Sequence, residues 1–209
     1  PAGSVRSRRL LALCLESAGD LGAASTIYDD LIKSNPSNTI ALQRKYCILK
    51  ASNKPVEAKE ALNDYIEGTG GGDPAAWMEM ATLCLDMSDY KGAAYALEET
   101  VLASPLDATV HCRLAEVYAT LGGLSNLKLA RQHMAQSLEL APGARAAFGL
   151  VSVASQYLDA CPPKDMDSLD AQVAKELVKY GTEQILKLYK STPTANLIQK
   201  VLMDLQTTD

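Results

Sequence analysis

The chain is 209 residues long, 47% hydrophobic and 22% charged, with 20 Lys and Arg against 25 Asp and Glu and a formal net charge of -5. That is enough apolar chain for one or two packed domains, and the composition is too balanced for wholesale disorder. The mild acidity argues against nucleic acid as a partner, because that affinity comes from clustered Lys and Arg neutralising phosphates.

The longest mostly apolar stretch, Ala146 to Ala154, is already interrupted by Gly149 and Ser152. It falls far short of the roughly 20 residues that a bilayer-spanning helix needs. No basic segment followed by an apolar core and a small-residue cleavage site opens the chain, and a first residue of Pro1 suggests a fragment whose own start is missing. The cysteines, Cys14, Cys47, Cys84, Cys112 and Cys161, are odd in number and widely separated, with no C-x-x-C pair. They read as reduced, mostly buried thiols, not as a disulfide framework or a zinc site.

Internal repetition decides the architecture. Ala24, Ala58, Ala93 and Ala130 align at spacings of 34, 35 and 37 residues. Four residues after each stands a long side chain (Tyr28, Leu62, Leu97, Met134), and twelve after each a helix stopper (Pro36, Gly70, Pro105, Pro142). Ala12, Tyr46 and Ala81 lie twelve residues before the first three alanines, whereas Ala115 lies fifteen before the fourth, an insertion of three. This is the signature of antiparallel helix pairs. The small residue lets two helices approach, the large one on the same face fills the groove, and Pro or Gly ends the second helix.

In chain order the expected units are 5–38, 39–73, 74–107 and 108–144, with a partial fifth from 145. The solenoid runs to residue 158, a loop occupies 159–168, and helices over 169–209 cap its open core. Turns are expected at Ala18-Gly19-Asp20, Ser52-Asn53-Lys54-Pro55, Met87-Ser88-Asp89 and Gly122-Gly123. The run Thr69-Gly70-Gly71-Gly72-Asp73 suggests a looser joint.

The offsets resemble the tetratricopeptide repeat, which implies an all-α, right-handed superhelical solenoid. The third unit matches best through Trp77, Met80, Ala81, Tyr90, Ala93, Leu97 and Pro105, and the first through Leu11, Ala12, Gly19, Ala24, Tyr28 and Pro36. The second departs from it, with Tyr46 at a usually small position and Gly70 in place of proline.

A catalytic reading finds no parts. His111 and His133 belong to no H-E-x-x-H or paired-ligand motif, Gly70-Gly71-Gly72 lacks the Lys and Ser/Thr of a phosphate loop, and Asp29/Asp30 and Glu98/Glu99 read as solvated helix faces. No catalytic residue, metal ligand or cofactor site is assigned. The expected binding surface is the wall formed by first helices: Arg6, Arg9 and Leu13, then Arg44, Cys47 and Lys50, then Met78, Glu79 and Thr82, then Cys112, Arg113 and Glu116. Such a mixed wall suits a polypeptide partner. The chaperone-adaptor clamp for C-terminal carboxylates is excluded by Leu13 and Glu79, which stand where that clamp needs Asn and a basic residue.

A more specific pattern lies in Ala115-Glu116-Val117-Tyr118, Gly122-Gly123-Leu124-Ser125-Asn126-Leu127 and Ala135-Gln136-Ser137-Leu138-Glu139-Leu140, supported by Ala75-Ala76-Trp77-Met78-Glu79-Met80-Ala81 and Phe148-Gly149-Leu150. These runs resemble the subunit 2 family of the ER membrane protein complex over about residues 5–158. The resemblance implies a non-catalytic scaffold, peripheral to the membrane on the cytoplasmic face of the endoplasmic reticulum, within an insertase for tail-anchored and multi-spanning proteins. It further implies cytosolic subunit 8 or 9 and the cytosolic segments of membrane subunits such as 3 and 5 as partners, and further helices before residue 1. The alternative is a free repeat adaptor in chaperone, trafficking or degradation pathways.

Overall fold

In a computed structural model, residues 3–206 are described, the side chains to residue 202, and they form two compact units, 1–103 and 104–209. Among the described residues every regular element is helical.

The first unit contains three antiparallel pairs: α1 (Val5–Ser17) with α2 (Leu21–Ser34), α3 (Thr39–Ala51) with α4 (Pro55–Gly68), and α5 (Pro74–Asp86) with α6 (Tyr90–Ala103). Each start is encoded locally. The side chains of Ser4, Asp20, Asn38 and Asp73 accept backbone N–H bonds at the mouths of α1, α2, α3 and α5, while Pro55 and Pro74 occupy first-turn positions where no N–H is needed. The turns within the pairs use a left-handed residue at matching places: Gly19 (φ 85°), Asn53 (φ 55°) and Ser88 (φ 58°).

The aligned alanines are where the helices meet. Ala12, Ala24, Ala58 and Ala93 are completely buried, as are Tyr28, Leu62 and Leu97. Each such leucine contributes about 1.5–3 kcal/mol of burial. Tyr46, the large residue at a small position, is accommodated by tilting against Tyr65, ring centroids 5.9 Å apart.

The glycine run after α4 is not a loose joint. The Gly71 N–H reaches back to the Ile66 carbonyl at 2.8 Å, Tyr65 donates its hydroxyl to Asp73 at 2.9 Å, and the Trp77 indole donates to the Gly71 carbonyl at 2.9 Å. Gly70 and Gly71 supply the positive φ that lets the chain turn this tightly.

The second unit contains α7 (Ala108–Leu121), α8 (Leu124–Leu140), α9 (Ala144–Ala160), a 3-10 turn (Pro163–Asp165), α10 (Leu169–Tyr189) and α11 (Ala195–Gln206). The three inserted residues lengthen a helix, not a loop: Ala130 is the seventh residue of α8, whereas Ala24 is the fourth of α2. The turn that permits this is only Gly122-Gly123, with φ/ψ of 68°/-178° and 81°/148°. That region is closed to residues with a Cβ. Asn126 then donates its amide to the Gly122 carbonyl at 2.9 Å.

One core joins α7, α8, α9, α10 and α11 through Ala115, Met134, Leu150, Val151, Ile185 and Leu202. The long α10 packs along α9, with Gly181 set close against Ala147 and Val151. A Cβ there would stand 2.7 Å from Val151 Cγ2 and 3.4 Å from the Ala147 carbonyl oxygen. Gly181→Leu therefore overpacks this contact and lowers stability by about 1–3 kcal/mol. A denaturation midpoint matching wild type would show that the helices part at no cost.

Candidate protein-binding wall

The wall residues expected on α1, α3 and α5 have distinct fates. On α1, Arg6 and Leu13 are exposed and Arg9 is half-buried, three side chains at positions i, i+3 and i+7 on one helical face. On α3, Arg44 forms a bidentate salt bridge to Glu16 of α1, whose carboxylate is only 10% exposed, and Lys50 pairs with Glu79 of α5. Met78 and Thr82 are half-buried on α5, the Thr82 hydroxyl donating to the Met78 carbonyl at 3.0 Å.

In the second unit the same construction recurs between α7 and α9. Arg145 donates to both carboxylate oxygens of Glu116, at 2.7 and 2.6 Å. Cys112 is buried against Met134, so it belongs to the core and does not face a partner. Arg113 is half-buried.

Three of the expected wall charges on the first unit and one on the second are thus engaged with a neighbouring first helix, at separations of 28, 29 and 29 residues. These rungs hold consecutive first helices in register, and Glu16 and Arg145 are the members that inspection of the wall alone did not single out. Opposite charges recurring at 28–29 residues were a signal available in the sequence.

The electrostatics follow. Hydrogen bonding to Glu16 pushes the already high Arg44 pKa higher, and Glu116 does the same to Arg145. Tyr28 is pushed up to about 12, first by burial and then by the neighbouring Glu16. Tyr46 is pushed up to about 12 by burial, with Cys47 adding to it.

Because both folded values lie above the ordinary value of 10, this stabilisation is complete below pH 10 and is lost as pH rises through 12. Each tyrosine then removes about 1.4 kcal/mol of stability per pH unit across that window. An alkaline titration should show the part of the tyrosinate absorbance that belongs to Tyr28 and Tyr46 arriving together with loss of helicity near pH 12. Ionisation of all nine tyrosines near pH 10 with helicity intact would contradict this.

All five cysteines are free, as expected of reduced thiols, and Cys84, Cys112 and Cys161 are buried. Cys14 corrects the expectation of burial: it is exposed on α1. Burial pushes the Cys47, Cys84 and Cys112 thiols up, which holds them protonated and weakly nucleophilic.

The two histidines, separate in the sequence reading, are brought together. His111 Nε2 lies 3.0 Å from the Pro105 carbonyl, and the two Nδ1 atoms lie 3.0 Å apart with the rings stacked. A carbonyl only accepts, so His111 donates from Nε2, and the tautomers of the two rings set which Nδ1 donates to the other. Among the described residues no group of three or more His, Cys, Asp or Glu side chains could hold a metal ion.

The second helices are tied separately. Arg131, 3% exposed, donates to the Asp170 carbonyl and, at 2.7 Å, to its carboxylate, while its guanidinium lies 4.4 Å over the Tyr157 ring. Lys128 reaches the same carboxylate at 2.7 Å and, chiefly through that bond, holds Asp170 below the usual carboxylate range.

Residues 3–139 match the family described as the EMC2 TPR-like repeat domain. ER membrane protein complex subunit 2 of Xenopus tropicalis is 38% identical over 192 residues, which is 90% of this chain and 62% of that protein. The Dictyostelium discoideum protein of the same name is 34% identical over 137 residues, 66% of this chain and 42% of its own. The chain therefore spans less than two thirds of the curated relatives it matches. Among solved structures, a tetratricopeptide repeat protein from Parabacteroides merdae aligns with a TM-score of 0.60 at 16% identity, covering 98% of this chain and 79% of that one. MamA aligns with a TM-score of 0.61, also at 16%, covering 90% and 95%. At that identity these structures speak to the fold alone, which is of the tetratricopeptide type.

Proposed function

The chain belongs to the ER membrane protein complex subunit 2 family, and from that premise we propose that it is a non-catalytic scaffold on the cytoplasmic face of the endoplasmic reticulum membrane. It organises the cytosolic parts of an insertase for tail-anchored and multi-spanning proteins. Its partners are cytosolic subunit 8 or 9 and the cytosolic segments of membrane subunits such as 3 and 5. The observation that carries the reading is the family match over the helical repeats, and three properties of the chain support it.

First helices clamped by ion pairs give a rigid wall, which suits a part whose task is to hold others in fixed geometry. Its buried thiols are held protonated, the state that disfavours nucleophilic attack. No helix among the described residues is long and apolar enough to cross a membrane, which is compatible with attachment through partners.

Marginally stable subunits that lose their scaffold are left with open interfaces and are cleared in cells. Depletion of this protein should therefore lower the abundance of the membrane-spanning subunits, and tagged protein should come out of detergent-solubilised membranes with them at fixed stoichiometry. A free adaptor would leave their abundance unchanged and purify without them, which would end the scaffold reading.

A further inference from the structure

On the first unit, away from the ion-paired first helices, a groove of about 800 Å3 opens between α4 and α6 over α5. Its floor is apolar: Trp77, Met80 and Cys84 of α5. One wall is a single face of α4, carrying Val56, Lys59, Glu60, Asn63 and Asp64 at positions i, i+3, i+4, i+7 and i+8. The α6 wall is Gly92 and Tyr95, which bring no charge.

At one end of the groove Gly92 is packed so tightly that a Cβ there would clash with Asp89 Oδ2 and lie 3.0 Å from the Cys84 sulfur. Val56 and Tyr95, 54% and 56% exposed, leave apolar surface on both lips. Tyr95 is nonetheless oriented, meeting Trp77 edge-on at 5.7 Å.

The unpaired charge on this groove is negative. Its single lining cation, Lys59, is already bonded to Asp89 at 2.7 Å. Glu60 and Asp64 lie exposed on the α4 lip and form no ion pair among the described residues. The face from Val56 to Asp64 spans nine residues of α4 and is about 12 Å long, a little over two helical turns. That length accepts the i and i+4 anchors of a helix.

We propose that this groove is the docking site of a short amphipathic helix from a partner protein, with large apolar side chains on the Trp77 and Met80 floor and Lys or Arg along the border facing Glu60 and Asp64. The asymmetry fixes orientation: the basic border faces α4 and the uncharged border packs on Tyr95. The proposal rests on the scaffold reading only for the existence of a partner, and adds the partner's chemistry.

The test places the photocrosslinker p-benzoylphenylalanine at position 95 of the protein expressed in its own host cell. The crosslinked segment is then identified by mass spectrometry. The expected adduct is one defined segment of another protein, apolar at helical spacing with basic residues along one side. Glu60→Lys with Asp64→Lys should reduce it at least about tenfold, since like charges then face each other. Should that pair unfold the protein, Glu60→Gln with Asp64→Asn should still reduce the adduct about threefold or more.

The proposal is overturned by no adduct, by an adduct to lipid, to a second copy of this chain or to an acidic segment, or by one that charge reversal leaves unchanged. Fractionating the same cells reports separately on the scaffold reading. A basic-helix adduct from a protein outside the membrane complex would sink that reading and leave the groove assignment standing.

Discussion

Arg131→Ala should be among the most damaging single changes in this protein, costing about 2–4 kcal/mol, because it removes a long buried side chain from between packed helices. Two hydrogen bonds from its buried guanidinium to Asp170, whose own side chain is 39% exposed, are lost with it. The Tyr157 ring beneath it adds about 1 kcal/mol. The Arg131 end, at 3% exposure, has little water to replace these contacts, whereas the Asp170 end is open to solvent. The effect is structural as well as energetic, because Arg131 on α8 touches α9 through Tyr157 and α10 through Asp170, tying three helices at one point. Arg131→Lys keeps the charge but not the planar fork that reaches carbonyl and carboxylate together, so it should recover less than half of the loss. Urea denaturation of the three proteins checks this, with hydrogen exchange expected to rise first in the opening turns of α10. A lysine variant as stable as wild type would show that charge alone makes the tie.

The elements that could be read from sequence are those whose signal is local. An alanine at a helix crossing, with a long side chain four residues on and a stopper twelve on, repeats because every pair solves the same packing problem, and all four aligned alanines are indeed fully buried. The Gly122-Gly123 pair was visible as an insertion, but whether it lengthened a loop or a helix was decided by backbone angles that the letters do not display. Glycine runs are ambiguous for the same reason: Thr69 to Asp73 reads as slack until Tyr65 and Trp77 are seen holding it. Residues on the wall were identifiable by register, yet their use was not. Arg44, Lys50, Glu79 and Glu116 look like partner-facing charges when each helix is considered alone, and become rungs only when the neighbouring first helix is set beside it. The α4–α6 groove had no sequence signature, because its lining comes from three helices that only the fold brings together.

Those rungs yield the other large effect. Arg44→Glu places a second carboxylate against Glu16, which is 10% exposed and lies beside the fully buried Tyr28. Removing one partner of a buried pair costs about 3–5 kcal/mol. Arg44 is itself about one third exposed, so part of that is screened and a loss of about 2–3 kcal/mol is expected. The test that separates charge from shape is the reversed pair. Glu16→Arg combined with Arg44→Glu rebuilds the rung with opposite polarity and should recover more than half of the loss. A double-mutant cycle over the four proteins, measured in urea at low and at 0.5 M salt, reads the coupling directly. Salt should shrink it only modestly, since the Glu16 end is shielded from the ionic atmosphere. If the double variant is no more stable than Arg44→Glu, the arginine acts by packing and the rung contributes no charge coupling. If coupling is recovered, loss of partner binding on reversing Arg44 alone would report a displaced helix before it reported a lost contact, and the reversed pair becomes the proper control for testing this wall as a binding surface.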